Sequence, residues 1–202
     1  YGLLALGVLL ASWSAWSWLQ APRTRTAIAW IASAALVAYT HYLGVVVLGT
    51  IVAAVALALW REPRRIAAWL ALQVAVAVAF APQLPVLAGQ LRLAENHWLR
   101  HPRADDLFDF ARHLAFGGRW VLPAFAAVLA LAFIVPAHRP ALRFVVGVSL
   151  ASVLIPFLAT AWGAHLYVQR YMYFVLPLLL TWLAAGLVAL PGRPLATVAS
   201  VA

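Results

Sequence analysis

Residues 27–60 read AIAWIASAALVAYTHYLGVVVLGTIVAAVALALW, a stretch with no charged side chain and one histidine, His41. Arginines close both ends: Arg23 and Arg25 in QAPRTR before it, and Arg61, Arg64 and Arg65 in REPRR after it. As a single helix the stretch would extend about 50 Å, against a bilayer hydrocarbon core of about 30 Å. With both basic ends on one side of a membrane, it has to cross and come back. Its only polar cluster is Thr40-His41-Tyr42 within YTHYLG (39–44), and Gly44 follows, a residue that readily takes turn conformations. The break is therefore expected there. Each arm then has about 16 or 17 residues and reaches nearer 25 Å than 30 Å, so the turn should sit slightly below the far surface. Non-helical backbone at that depth is tolerated only against protein or a water-filled cavity, which places the turn in a protein-lined recess.

Composition agrees. Of 202 residues 66% are hydrophobic and 9% charged, where a soluble domain carries about 25% charged residues. Apolar runs of bilayer length recur along the chain. The sequence reads as an all-α, polytopic bundle of transmembrane helices, about seven spans plus a truncated one. There is no Cys, which excludes disulfides, thiolate metal sites and cysteine nucleophiles. The net charge of +9 comes from arginine alone among the cations; in such a chain it bears on orientation rather than on nucleic acid. No basic segment precedes the first apolar run, so that run does not read as a signal peptide. The only Met is Met172, and the chain stops a few residues into a further apolar run. Residues 1–202 are thus expected to be one membrane domain, a piece of a longer chain clipped at both ends.

The other spans are expected at about 1–19, 66–84 (ended by Pro82 and Pro85), 120–135, 144–162 and 171–190. The turns QAPRTR, REPRR, AHRPALR and PGRP together hold eight Arg and one Glu. The opposite side would hold six Arg against Glu95, Asp105, Asp106 and Asp109. Short basic turns mark the cytoplasmic face, so residues 40–43, 85–118 and 163–170 are expected outside, with the chain multi-pass in the inner (plasma) membrane. Within the long outer loop, Leu107, Phe110, Ala111 and Leu114 share one helical face. Asp105, Asp106 and Asp109 lie near that helix's start, where carboxylates favour the dipole, and Gly117–Gly118 would end it. This is expected to be a short interfacial helix, with Trp98 and Trp120 as headgroup-level anchors.

Few residues could carry chemistry. A titratable group in or beside a span usually faces a cavity or a partner. His41 could cap the hairpin on backbone carbonyls, or donate a hydrogen bond or a charge to an anion from the floor of an outward-facing cavity. Arg170, in LYVQRYMYF with Tyr167, Tyr171 and Tyr173, is either a snorkelling interfacial arginine or a bidentate phosphate ligand. Arg119 in GGRW has the same two readings, and the interfacial one is favoured. His97 and His101, four apart with Glu95 nearby, have a metal-compatible spacing, but no HExxH is present and Pro102 follows. No metal site or cofactor is assigned, and a divalent metal is not excluded. Asp109 and His113 are expected to pair across one turn. No P-loop, GxGxxG or GxSxG occurs, and no Asp or Glu lies inside a span, which argues against a carboxylate proton relay.

The stretches YTHYLG, REPRR, APQLPVLAGQL, LAFGGRW and QRYMYFVLPLLL, in that order, resemble the bacterial membrane glycosyltransferases of the GT-C superfamily, in the protein O-mannosyltransferase-like group (glycosyltransferase family 39). The resemblance covers nearly the whole chain; Leu43 stands where the group usually has Phe. It implies a multi-helix membrane fold and transfer of a sugar from a polyprenyl-phosphate donor to an acceptor on the non-cytoplasmic face. It also implies a catalytic Asp in an outer loop upstream of Tyr1. By the same resemblance His41 and Tyr42 would line the lipid-phosphate end of the cavity, and Arg170, with Tyr171 beside it, would contact the donor phosphate. The implied partners are the polyprenyl-phosphate-sugar donor, membrane lipids, and an acceptor (glycan, lipid or protein) that the sequence does not identify. Two rival classes remain: a transporter or flippase for an amphiphilic lipid, whose mark would be inverted repeats with broken helices, and a structural membrane subunit. No such repeat is visible in the sequence.

Overall fold

The computed structural model describes residues 2–93, 103–114, 123, 126, 130, 139–162 and 169–188. Among them every assigned element is helical: α1 (Gly2–Gln20), α2 (Thr24–Thr40), α3 (Leu43–Ala58), α4 (Pro63–Phe80), α5 (Leu84–Leu93), α6 (Ala104–Leu114), α7 (Arg139–Ala161) and α8 (Leu176–Val188), with 3₁₀ segments at Ala81–Gln83 and Gln169–Val175. Three stretches, Gly2–Gln20, Pro63–Gly89 and Pro140–Ala161, are long and apolar enough to cross a membrane, and Leu43–Ala58 and Met172–Ala184 are shorter apolar helices. This is the composition of a membrane protein. The chain divides into two compact units, Tyr1–Pro102 with Gly147–Val175, and Arg103–Val146 with Leu176–Ala202.

The first unit is built on small residues. On α1 the buried positions Leu4, Gly7, Val8, Ala11, Ser14, Ala15 and Trp18 recur every three or four residues, a continuous stripe. Against it α2 presents Trp30, Ser33, Ala34 and Val37. The hydroxyls of Ser14 and Ser33 meet at 3.1 Å, and each also bonds a carbonyl of its own helix. In lipid, where tails are as apolar as leucine, such close contact of small residues and buried hydroxyls is what holds helices together. The same device recurs between α3 and α7, where Thr50 and Ser152 hydroxyls lie 3.0 Å apart in the core.

Contacts fix the helix directions. Trp30 meets Trp69 at 4.7 Å, the rings tilted by 43°, and Tyr39 meets Phe80 edge-on at 5.8 Å, so α2 and α4 run parallel. Gly7 and Gly44 both approach Val37 near the end of α2, so α1 and α3 run opposite to it. The basic ends thus gather: Arg65, at the start of α4, pairs with Glu62 at 2.8 Å and donates its other guanidinium nitrogen to the Leu19 carbonyl at the end of α1. A cation there also favours the negative end of the α1 dipole. One level deeper, Trp69 touches Trp18 at 5.1 Å as well as Trp30, and its indole N–H donates to the Val52 carbonyl at 3.2 Å. Trp69 is the single buried residue of α4; Leu70, Val74 and Val78, four apart, form an exposed apolar stripe.

The hairpin break at Thr40-His41-Tyr42 is present, and its arms have 17 and 16 residues. Gly44, though, is not in the turn. It lies in the first turn of α3, where a Cβ would come within 2.5 Å of the Val37 carbonyl oxygen; its lack of a side chain serves close approach, not a turn conformation. Pro82 and Pro85 do not end the span near Leu84. Pro82 sits in the 3₁₀ segment and Pro85 in the first turn of α5, positions that need no N–H, so the helical run continues past them. Arg139 and Arg143 belong to α7 rather than to a turn before it. Pro156 lies within α7, and its own carbonyl accepts the Thr160 hydroxyl at 2.8 Å.

In the second unit α6 is the expected amphipathic helix. Asp106 reaches back to the Arg103 N–H at 2.6 Å, closing its first turn; Phe110 is buried. Asp109 pairs with Arg112 at 3.3 Å rather than with the His113 side chain, whose Nδ1 lies 2.6 Å from the Asp109 carbonyl instead. Helix α8 starts at Leu176 with Pro177 in its first turn, five residues later than the apolar run suggests. The expected 120–135 span, Glu95, His97, Trp98, His101, Gly117–Gly118, Arg119, Trp120 and the 163–168 loop fall outside the described residues, apart from isolated helical positions at 123, 126 and 130.

Candidate functional site

The turn is short. The His41 N–H bonds the Val37 carbonyl at 3.4 Å, ending α2, and His41 itself is extended at φ −161° and ψ 142°. Gly44 N–H then bonds the His41 carbonyl at 2.8 Å and Val45 N–H the Tyr42 carbonyl at 3.2 Å, so α3 begins at once. The whole reversal is carried by one extended residue, His41, with Tyr42 already in helical conformation.

His41 Nδ1 accepts the Leu43 N–H at 3.2 Å, capping an amide that α3 cannot satisfy. An accepting Nδ1 bears no proton, so the neutral imidazole carries its hydrogen on Nε2. His41 stands in the turn, outside both helices, and burial holds its pKa below the ordinary 6.5. The cap differs from the one the sequence suggests: Nδ1 accepts an amide N–H rather than the ring donating to backbone carbonyls, and Nε2–H is the ring's donor end. Donation of a full charge is opposed by both the cap and the burial. The Tyr42 ring lies 4.5 Å from the imidazole, tilted by 33°, and both side chains are half-buried. Thr40 is committed elsewhere, its hydroxyl bonding the Leu36 carbonyl at 2.6 Å.

Sequence reasoning missed what fixes this turn in place. The Tyr39 hydroxyl donates to the Ala79 carbonyl at 2.8 Å, tying the hairpin tip to the last turn of α4. The signal was present, since a tyrosine with a polar tip next to a polar turn is suited to such a bond. Arg170 and Tyr171 lie in the 3₁₀ segment Gln169–Val175, which packs against α1; among its described side chains Met172, Phe174 and Val175 are buried. The structure brings His41 and Tyr42 together; the Arg170 and Tyr171 side chains fall outside what is described. Among the described residues no group of three or more His, Cys, Asp or Glu could hold a metal. Two recesses lie apart from His41, on the flank shared by α1 and α2.

Compared with family models, curated proteins and solved structures, the chain shows no match. Sequence and fold define the class: a membrane protein, helical throughout its described elements, with a polar hairpin tip.

Proposed function

We propose that the chain is part of a GT-C-type membrane glycosyltransferase, one that moves a sugar from a polyprenyl-phosphate donor to an acceptor on the non-cytoplasmic face of the inner membrane. The full set of about seven spans, with the basic turns cytoplasmic, belongs to this proposal. The observation that carries it is the hairpin tip: a neutral, tautomer-fixed imidazole beside a tyrosine, at the opposite end of the bundle from Arg23, Arg25 and Arg65. The stretches that carry the resemblance, in their order along the chain, add to it.

In such a reaction the bond between the anomeric carbon and the phosphate oxygen breaks, and the electron pair leaves with the phosphate. The acceptor nucleophile attacks the anomeric carbon and gives its proton to a carboxylate base, which the resemblance puts upstream of Tyr1. Charge grows on the departing phosphate, so N–H and O–H donors there stabilise the transition state more than the ground state. His41 Nε2–H, the Tyr42 hydroxyl, Arg170 and Tyr171 are the groups assigned to that phosphate.

The test is transfer from a labelled polyprenyl-phosphate sugar by the full-length protein carrying His41→Ala or Arg170→Ala. Loss of one such donor costs about 10²-fold or more in rate. Unchanged transfer in both variants would overturn the site assignment. An absence of any transfer, together with movement of labelled lipid between leaflets, would favour the transporter reading.

A further inference from the structure

The flank of the α1–α2 pair carries a groove that glycosyl transfer does not use. One part, about 240 Å³ and open along its side, lies between Leu10, Trp13 and Ser14 of α1 and Ala29, Ala32, Ser33 and Leu36 of α2. It exists because three neighbouring positions on α2 are Ala, Ala and Ser, leaving nothing to fill the space beside α1. The other part, also about 240 Å³, shares Trp13, Ser14 and Ala29 and lies between Ser17, Thr26, Arg23 and Arg25. One end is therefore apolar and the other cationic.

Among the described residues these cations are uncompensated. Arg23 and Arg25 are exposed, and neither forms an ion pair among the described residues. Glu62, the one acid in the basic turns, is taken by Arg65 at 2.8 Å. The Thr26 hydroxyl is used locally, accepting the Arg23 N–H at 3.1 Å and donating to the Arg23 carbonyl at 2.8 Å. What remains at that end is two guanidinium groups suited to a phosphate. From Arg23 to Leu36 the groove follows α2 for about 20 Å, close to one leaflet: half of a hydrocarbon core of about 30 Å plus its interface. Trp13, 62% exposed, stands where the two parts join and lines both of them.

We propose that this groove binds one anionic glycerophospholipid, its phosphate on Arg23 and Arg25 and an acyl chain laid over Ala29 and Ala32 towards Leu10 and Leu36. Charge complementarity selects the anionic lipid, and the missing side-chain bulk on α2 admits the chain. The inference stands whether or not the protein transfers sugars.

The experiment is native mass spectrometry of the full-length protein equilibrated with equal phosphatidylglycerol and phosphatidylcholine. One phosphatidylglycerol is expected to be retained in preference. The double variant Arg23→Gln/Arg25→Gln should lose that preference by up to about thirtyfold, at about 1 kcal/mol per arginine near the surface. Ala29→Phe keeps both arginines but fills the groove, and should also release the retained lipid; Ala32→Met is a milder filler if the first variant does not fold. Equal retention of the two lipids by the unaltered protein would overturn the proposal. So would a loss confined to the arginine variant, since that would reflect attraction of lipid to a basic turn without a groove.

Discussion

Gly44→Ala tests the hairpin most directly. The added Cβ would lie 2.5 Å from the Val37 carbonyl oxygen, 2.8 Å from Val37 Cγ1 and 3.0 Å from the Val37 carbonyl carbon. A normal C···O approach is about 3.3 Å, so the start of α3 would have to retreat by roughly 0.8 Å. Two of the three atoms are backbone, and Val37 is fully buried, held from the other side by Gly7. No side-chain rotation relieves the contact. Overpacking of this kind costs about 1–3 kcal/mol, and the upper end applies because helix backbone must move. Gly49 in the same helix is the control: a Cβ there meets nothing within 4 Å, and alanine improves helix propensity by up to about 1 kcal/mol. The two variants should differ by about 3 kcal/mol in opposite directions, read by thermal unfolding in one detergent. Gly7→Ala should fall between them, since its nearest atom, Val37 Cγ2 at 2.9 Å, is a side-chain methyl. A Gly44→Ala protein as stable as Gly49→Ala would refute the close packing of α2 on α3.

Other substitutions probe the opposite end and the turn. Trp69→Phe should cost about 1 kcal/mol for the lost bond to the Val52 carbonyl. Trp69→Ala should cost about 3 kcal/mol, the low end for such a change because lipid is no less apolar than the core; equal losses would mean the three-tryptophan contact contributes nothing. Arg65→Ala removes a charged bond to the α1 terminus and should cost about 2 kcal/mol, whereas Glu62→Gln, losing only an exposed pair, should stay within about 0.5 kcal/mol in the same unfolding assay. His41 has a folded pKa below its unfolded 6.5, so the unfolded chain binds more protons as pH falls. Its stabilising contribution is therefore complete above pH 6.5 and is lost as pH falls through the folded value. Melting temperature measured between pH 8 and pH 5 should drop in the parent and flatten in His41→Asn, whose side-chain oxygen can still accept the Leu43 N–H; parallel curves would remove His41 from that role.

The hairpin was legible because two rules met on one stretch: arginines at both ends and a length no single crossing accommodates. Neither rule depends on packing, so the break at His41 follows from sequence alone. The reason for Gly44 does depend on packing. A glycine beside a turn has two physical uses, positive φ and close approach, and only the position of Val37 decides between them. The prolines misled for a related reason. Pro82 and Pro85 stop a helix where their missing N–H was needed, but a 3₁₀ segment lets a new first turn start there. The aromatic node could have been found: Trp18 lies five residues before Arg23, Trp30 five after Arg25 and Trp69 four after Arg65, which puts all three at one depth. The Ser14–Ser33 and Thr50–Ser152 bonds left no sequence signal beyond hydroxyls in apolar helices.

These contacts divide the work between the two ends of α2. At the hairpin end, Val37 is enclosed by glycines of α1 and α3 while Tyr39 bonds α4, so three helices fix the backbone just before His41. A donor held this way need not reorganise when charge develops nearby, which is what makes a preorganised donor effective. At the basic end the helices are joined by Arg65 and Trp69, and among the described residues the flank of α2 from Ala29 to Leu36 stays open beside Leu10 and Trp13 of α1. The small residues that allow α1 and α2 to approach on one side are continuous with those that open the groove on the other. Close packing and a lipid-sized recess are then two results of the same choice of side chains. That predicts a separation: Ser33→Ala deletes the hydroxyl that meets Ser14 and should cost about 1 kcal/mol in thermal unfolding, whereas Ala29→Phe leaves both hydroxyls in place and should cost less.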